Sequence, residues 1–273
     1  MAIDTAQPDL SAIKERQQQT WASGDFAVVA ARIVLAAEEL VDHADLHAGW
    51  HVLDVATGSG NAAIAAARIG CTAVGVDYVP ALLERGRRRA AAEGLAVSLL
   101  EGDAEELPFA AASFDGVTSV YGVMFASDHG RAASEILRVC RPGGTIALAS
   151  WTPDGFVGEL LRTVSAHVPP PAGVPSPLLW GTEPHLRELF ADGVSGLTVT
   201  ERTFTFRFLS AEHFVSFFRL WYGPTVKAFA SLDEPAREAL ESDLIDLVHR
   251  HDRLGTDAVA VPAAYSEAIA TRR

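Results

Sequence analysis

The segment Val52-Leu53-Asp54-Val55-Ala56-Thr57-Gly58-Ser59-Gly60-Asn61 constrains this chain more than any other. A short apolar run breaks at two glycines and passes into alanine-rich sequence over 61–69. That order reads as a buried strand, a tight turn and a helix. Glycine tolerates the dihedrals of such a turn and lets backbone approach a ligand closely. The helix start adds unpaired N–H groups. In an open α/β sheet, ligands lie beyond the carboxyl ends of the strands, where this turn falls. Gly60 is followed by Asn61 and not by Lys with a hydroxyl residue, so the turn is not a phosphate-cradling lysine loop.

The neighbouring sequence repeats the strand–helix rhythm. Short runs rich in Val, Ile and Leu at 52–55, 73–76, 97–100, within 114–121 and at 145–150 read as strands. Helical patterns at 61–69, 80–93 and 131–137 lie between them, with Gly70, Gly94 and Pro142-Gly143-Gly144 as turns. This predicts a mostly parallel sheet with helices on both faces and right-handed crossovers. Residues 1–20 become helical towards their end, and 28–42 have an apolar helical face. Beyond Trp151 the texture changes to a proline-rich loop at 168–177, a helix at 183–190 and a Thr- and Phe-rich strand at 197–208. Helices are expected at 211–219 and 234–249, and 264–271 reads as a strand whose alanines would also suit a helix.

Charge narrows the function classes. Lys and Arg total 22 against 35 Asp and Glu, a formal net charge of −13. That disfavours a broad electrostatic grip on nucleic acid or on an anionic membrane. The basic cluster Arg85, Arg87, Arg88 and Arg89 reads as a solvated helix face. Charges interrupt the alanine stretches too often for a stable membrane insertion. The first twenty residues lack a basic start followed by an apolar run, so a cytoplasmic protein is expected. Cys71 and Cys140 read as buried small residues. No metal site is expected, since His249 and His251 do not share a helix face.

Two acidic positions extend the picture. Asp77 ends the second strand, where a carboxylate can accept from both hydroxyls of a ribose; a cap of the turn before Pro80 is the simpler alternative. Asp103 and Ala104 follow the third strand, where the carboxylate can accept from an exocyclic amine and the amide can face a ring nitrogen. A helix-capping aspartate is the alternative there. A nicotinamide-dependent oxidoreductase would share the glycine turn and Asp77, but accounts less well for Asp103-Ala104 and Pro142-Gly143-Gly144.

The ordered set of 52–61, Asp77, Asp103-Ala104, Phe114-Asp115 and Leu137-Arg138-Val139-Cys140-Arg141-Pro142-Gly143-Gly144 resembles the motifs of class I S-adenosylmethionine-dependent methyltransferases. The last motif resembles the quinone-biosynthesis and small-molecule branch, and the set covers about residues 45–150. The resemblance implies an open seven-stranded, mostly parallel sheet with helices on both faces, a final antiparallel strand pair and a helical cap inserted near the C-terminus. It divides the chain into a helical cofactor cover at 1–45, a core at 46–210 and 253–273, and a cap at 211–252 over the acceptor. It implies Asp54, Gly58 and Gly60 around the methionine portion of S-adenosylmethionine, Asp77 at the ribose, and Asp103 with Ala104 at the adenine, with Ala56 and Tyr78 also among the cofactor-binding residues. Ala56 stands where many members carry the first glycine of the turn.

Methyl transfer needs a nucleophile held in line with the methyl group in a water-poor pocket. Trp21, Phe26, Met124 and Phe125 are candidates for its wall, as are Trp151, Phe156, Phe218 and Tyr222. Each reads equally well as core packing. Together they favour a small apolar or aromatic acceptor. His129 is the first candidate for a general base, with Asp128 orienting it or capping the next helix; an exposed helix-start pair is the alternative. Tyr121 and Tyr222 come after it as candidates. An amine or thiolate acceptor would need no protein base. The expected function is therefore methyl transfer from S-adenosylmethionine, with a non-catalytic cofactor-binding protein or an oxidoreductase as alternatives.

Overall fold

In the computed structural model, which describes residues 10–273, the glycine turn lies at the centre of one seven-stranded sheet. The strands are β1 (His51–Val55), β2 (Thr72–Asp77), β3 (Val97–Glu101), β4 (Phe114–Val120), β5 (Cys140–Trp151), β6 (Val194–Phe208) and β7 (Val259–Arg272). They are ordered β3-β2-β1-β4-β5-β7-β6. The first five run parallel, and β7 pairs antiparallel with both β5 and β6. β1 is central and covered on both faces, so Val52, Leu53 and Val55 are fully buried. This explains its uninterrupted apolar run.

The helices are α1 (Leu10–Trp21), α2 (Phe26–Ala30), α3 (Val34–His43), α4 (Asn61–Arg68), α5 (Pro80–Ala92) and α6 (His129–Val139), followed by α7 (Phe156–His167), α8 (Glu183–Phe190), α9 (Ala211–Trp221), α10 (Gly223–Ser231) and α11 (Glu234–His251). Proline at the first position of α5 fits the start of that helix. Gly86 lets α5 sit close to the glycine turn, since a Cβ there would come within 3.1 Å of the Ser59 carbonyl oxygen.

Several boundaries differ from the sequence reading for identifiable reasons. The 28–42 stretch breaks into α2 and α3, with the Asp25 carboxylate capping the first by accepting from the Ala27 amide. No element is expected at 156–167, yet Phe156, Leu160, Leu161 and Val164 form the packed face of α7. Pro142-Gly143-Gly144 is not a free turn but the irregular start of β5, with a register shift opposite Phe114 and Gly116 and a φ of +78° at Gly143. The 264–271 segment is strand, extended to Val259–Arg272 by pairing on both sides.

α9, α10 and α11 all lie between β6 and β7. The chain leaves the sheet at Phe208 and returns at Val259, and these two residues are paired. The three helices therefore project from one end of a hairpin. They meet the N-terminal segment there: the Asp25 amide donates to the Trp221 carbonyl at 3.1 Å and the Ser23 hydroxyl to the Gly223 carbonyl at 3.3 Å. Among the described residues no helix is long and apolar enough to cross a membrane.

Candidate functional site

A cavity of about 250 Å³ opens at the carboxyl ends of β1 to β4, beneath α1. Its floor is the turn after β1. Ala56, Gly58 and Gly60 all have positive φ, at +52°, +54° and +84°. Ala56 is held there without glycine's freedom, a strained backbone of the kind that collects at binding sites. Gly60 precedes α4 as its N-cap and lies behind the cavity wall, while Ala56 and Gly58 line it.

Asp54 organises this floor. Its carboxylate accepts from the Thr57 hydroxyl at 2.5 Å, the Ala63 amide at 3.2 Å and the Thr118 hydroxyl at 3.1 Å. One buried side chain thus ties the end of β1 to its turn, to α4 and to β4. Asp77 performs the same service for the neighbouring turn, accepting from the Gly58 amide at 2.8 Å and the Val79 amide at 2.9 Å. Burial pushes the Asp77 carboxyl up to about 6, against those amides, which favour the charged form. Burial likewise pushes Asp54 up to about 6.

The basic cluster of α5 is less solvated than its composition implies. Arg89 donates to the Ser59 carbonyl, the Ser59 hydroxyl and the Asn61 side-chain oxygen at 2.8, 3.0 and 2.7 Å. Asn61 in turn donates to the Ala30 carbonyl at 2.9 Å. Arg89 therefore braces the glycine turn from behind, and Asn61 connects that turn to α2.

The roof is α1, fastened by side chains that no sequence motif marks. Lys14 bridges Asp103 at 2.7 Å and Glu105 at 2.6 Å. Gln18 donates to the Tyr78 carbonyl, and Gln17 bonds the Ser127 hydroxyl at 2.9 Å. The helix is stitched to the loops after β2, β3 and β4. Glu105 is buried, and its second oxygen accepts from the Ser127 and Asp128 amides. Asp103, Ala104, Tyr78 and Asp77 all face the cavity beneath.

A second, smaller cavity of about 40 Å³ adjoins the first. Trp21, Phe26, Ile33, Tyr121 and Phe125 line both. Trp21 is the hub of this shared wall, with ring centroids 5.6 Å from Phe26, 4.9 Å from Phe125 and 5.5 Å from Tyr222. Tyr121 has a φ of +57° and stacks on Trp151 at 3.9 Å. Phe156, Phe206, Phe214 and Phe218 close the far side. Phe206 and Phe214 are additions to the sequence reading. Their signals are the alternation Phe204, Phe206, Phe208 on β6 and the helical spacing of Phe214 and Phe218 on α9.

The expected residues thus divide. Trp21, Phe26, Phe125, Trp151, Phe156, Phe218 and Tyr222 come together around the second cavity. Met124 does not join them; it is fully buried and on neither wall. His129 is also on neither wall. It begins α6, its Nδ1 lies 3.0 Å from Nε2 of His185, and its ring meets Trp180 edge-on. Burial, with His185 adding to it, lowers the His129 pKa to about 4. Asp128 caps the helix by accepting from the Arg131 amide at 2.9 Å. Tyr121 does line both cavities, but its hydroxyl is buried without a hydrogen-bond partner among the described residues.

Comparison with known proteins agrees with this architecture. The model of a methyltransferase domain family matches residues 53–148. Uncharacterized protein Rv1405c of Mycobacterium tuberculosis is 40% identical over 256 residues, covering 92% of this chain and 93% of that protein. A demethylmenaquinone methyltransferase of Deinococcus radiodurans is 38% identical over 131 residues, 46% of this chain and 54% of that enzyme. The crystal structure of the YcgJ protein from Bacillus subtilis superposes with a TM-score of 0.60 at 19% identity, over 87% of this chain and 98% of that one, a likeness of fold. The chain belongs to the class I S-adenosylmethionine-dependent methyltransferase family, and is related to its quinone and small-molecule branch.

Proposed function

We propose that this protein transfers a methyl group from S-adenosylmethionine to a small apolar or aromatic acceptor. The observation that carries the reading is the meeting of two unlike cavities along one aromatic wall. The first cavity fits the donor. Asp77 lies where a carboxylate can take ribose hydroxyls, Asp103 and Ala104 lie further along the same wall, and the strained turn at Ala56 and Gly58 brings backbone close to the methionine end. When bound, the donor supplies an electrophilic methyl group on a positively charged sulfur. Trp21, Phe26, Tyr121 and Phe125 exclude water from the junction and present ring faces suited to a cation. The second cavity holds the acceptor's reactive end.

In this reading residues 10–45 cover the donor and the insertion at 211–252 caps the acceptor. Neither His129 nor Met124 touches the reacting groups. Tyr121 shapes the junction through its ring. The small size of the second cavity favours one alternative, a cofactor-binding protein in which Trp21 and Phe218 plug the acceptor site. Incubation with S-adenosylmethionine carrying a labelled methyl group, plus a mixed small-molecule extract, decides between them. Label in a new apolar product, dependent on the protein, is the expected result. Tight donor binding with no labelled product from any extract would leave the plugged form as the correct one.

A further inference from the structure

Resting on that reading, we propose that the acceptor is an apolar thiol, methylated on sulfur, that arrives already ionised. The fourteen described residues around the second cavity are ten aromatic and four aliphatic. A hydroxyl acceptor would have to give up its proton here, and an alkyl ammonium would too. The surrounding groups are poorly placed to take it. His129 is turned to His185, away from both cavities. His251 lies behind Phe156, at 5.4 Å between rings, and faces Glu159 at 3.1 Å. Tyr121 and Tyr222 are held as neutral phenols, because burial raises both above the ordinary tyrosine value.

No carboxylate lines the second cavity; those of the first are Glu15, exposed on α1, and four that already have partners. Asp54 and Asp77 accept from the turn, and Asp103 and Glu105 are paired with Lys14. The Glu39 and Glu267 carboxylates that lie towards Tyr121 are engaged by Tyr265 at 3.3 Å and by His43 and Arg202 at 2.8 and 3.0 Å.

A thiol meets these conditions better than the other nucleophiles. Its reference pKa of ~8.5 leaves a few per cent as thiolate near neutral pH without help. Sulfur is polarizable and packs favourably against aromatic edges. The thiolate lone pair forms the new sulfur–carbon bond. The donor's carbon–sulfur bond breaks and its electron pair stays on the donor sulfur; the thiol proton has already gone to solvent. An anion and a cation become two neutral thioethers, which an apolar wall accommodates better than the ions.

The test uses the full chain with benzenethiol, phenol and aniline as probes. First, the protein is loaded with sinefungin, an unreactive positively charged donor analogue, or with neutral S-adenosylhomocysteine, and binding of benzenethiol is followed by calorimetry and by thiolate absorbance. Several-fold more bound thiolate with sinefungin than with S-adenosylhomocysteine is expected. Second, transfer of labelled methyl is measured with arene thiols of graded acidity between about pH 6 and 9. Benzenethiol is expected to react at least a hundredfold faster than phenol, which needs a base, and faster than aniline, whose neutral nitrogen needs none but is a weaker nucleophile than a thiolate. The rate should inflect at each thiol's own pKa, in the wild type and in Tyr222→Phe alike. Equal or faster methylation of phenol or aniline overturns the proposal. So does an inflection fixed at one pH for every thiol, or transfer to none of the probes. Failure to bind either donor analogue would instead defeat the methyltransferase reading itself.

Discussion

The two cavities are built by opposite means. The larger one sets carboxylates among apolar residues, and these charged groups come from the ends of consecutive strands: Asp54 from β1, Asp77 from β2, Asp103 just after β3. Each makes hydrogen bonds within a few residues or to the adjacent turn, to which Thr118 of β4 adds a bond at Asp54 and Lys14 of α1 a bridge at Asp103. The smaller one is apolar, and its wall is gathered from α1, α2, the segment after β4, β5, α7, β6, α9 and the residue that follows α9, some 200 residues apart at the extremes from Trp21 to Tyr222. Local hydrogen bonding specifies the first with a few residue types. Only the completed fold specifies the second, through packing that many apolar sequences could satisfy. On the proposed reading, the site for one invariant donor is written mainly locally, and the site for a variable acceptor is written globally.

Variants should separate the two regions, beginning with the donor side. Asp77→Ala removes charge-assisted hydrogen bonds worth roughly 1.5–3 kcal/mol each, so calorimetry should show S-adenosylmethionine binding weakened roughly 10- to 100-fold. Part of that loss will come through the Gly58 and Val79 amides that Asp77 holds. Unchanged affinity would remove Asp77 from the donor site.

Acidity should act on the same carboxylate. Asp77 is pushed up to about 6 in the free protein, and donor hydroxyls favour its charged form. Affinity should be full above that value and fall as pH drops through it, by up to about tenfold for each further pH unit. An affinity flat from pH 7 to 5 would contradict the assignment.

On the acceptor side, Phe218→Leu keeps an apolar residue but loses ring contacts with Phe206, Phe214 and Tyr222. At about 0.5–1.5 kcal/mol for a lost aromatic pair, kcat/KM for the acceptor should fall roughly 3- to 10-fold while donor affinity holds. Equal losses in both would mean that the cavities are one functional unit. A smaller effect is expected from Lys14→Met, which breaks the partly exposed bridge from α1 to Asp103 and the buried Glu105. Stopped-flow dissociation of S-adenosylhomocysteine should quicken by roughly 3- to 5-fold, as for a pair worth up to about 1 kcal/mol. The smallest effect is expected at His129, which lies off both walls. Turnover of His129→Asn within about twofold of wild type fits that position, with the lost contact to His185 read in stability instead. A loss of a hundredfold or more would bring the histidine back into the chemistry.

Much of the sheet was legible from sequence because β1, β2 and β4 are short, largely buried and punctuated by glycine. The antiparallel ending was legible in β6, where Thr and Phe alternate, and ambiguous in β7, where alanine-rich sequence becomes strand only through pairing with β5 and β6. α7 escaped because Pro153 and Gly155 precede a helix whose apolar face is evident mainly from what it packs against. Within the site, motif positions stood out, while the residues that support them did not. Lys14, Gln18 and Arg89 are ordinary polar residues in sequence, and their roles arise from contacts with residues at least 28 positions away. His129 shows the opposite failure. Proximity in sequence to β4 made it a candidate, but the start of α6 turns its ring towards His185 and Trp180.

A crystal structure of the protein with S-adenosylhomocysteine tests the central claim most directly. The account predicts the ribose on Asp77, the adenine beside Asp103 and Ala104, and the sulfur at the wall shared by Trp21, Phe26, Tyr121 and Phe125, open to the second cavity. A sulfur directed away from that wall, or a ligand bound outside the larger cavity, would contradict it.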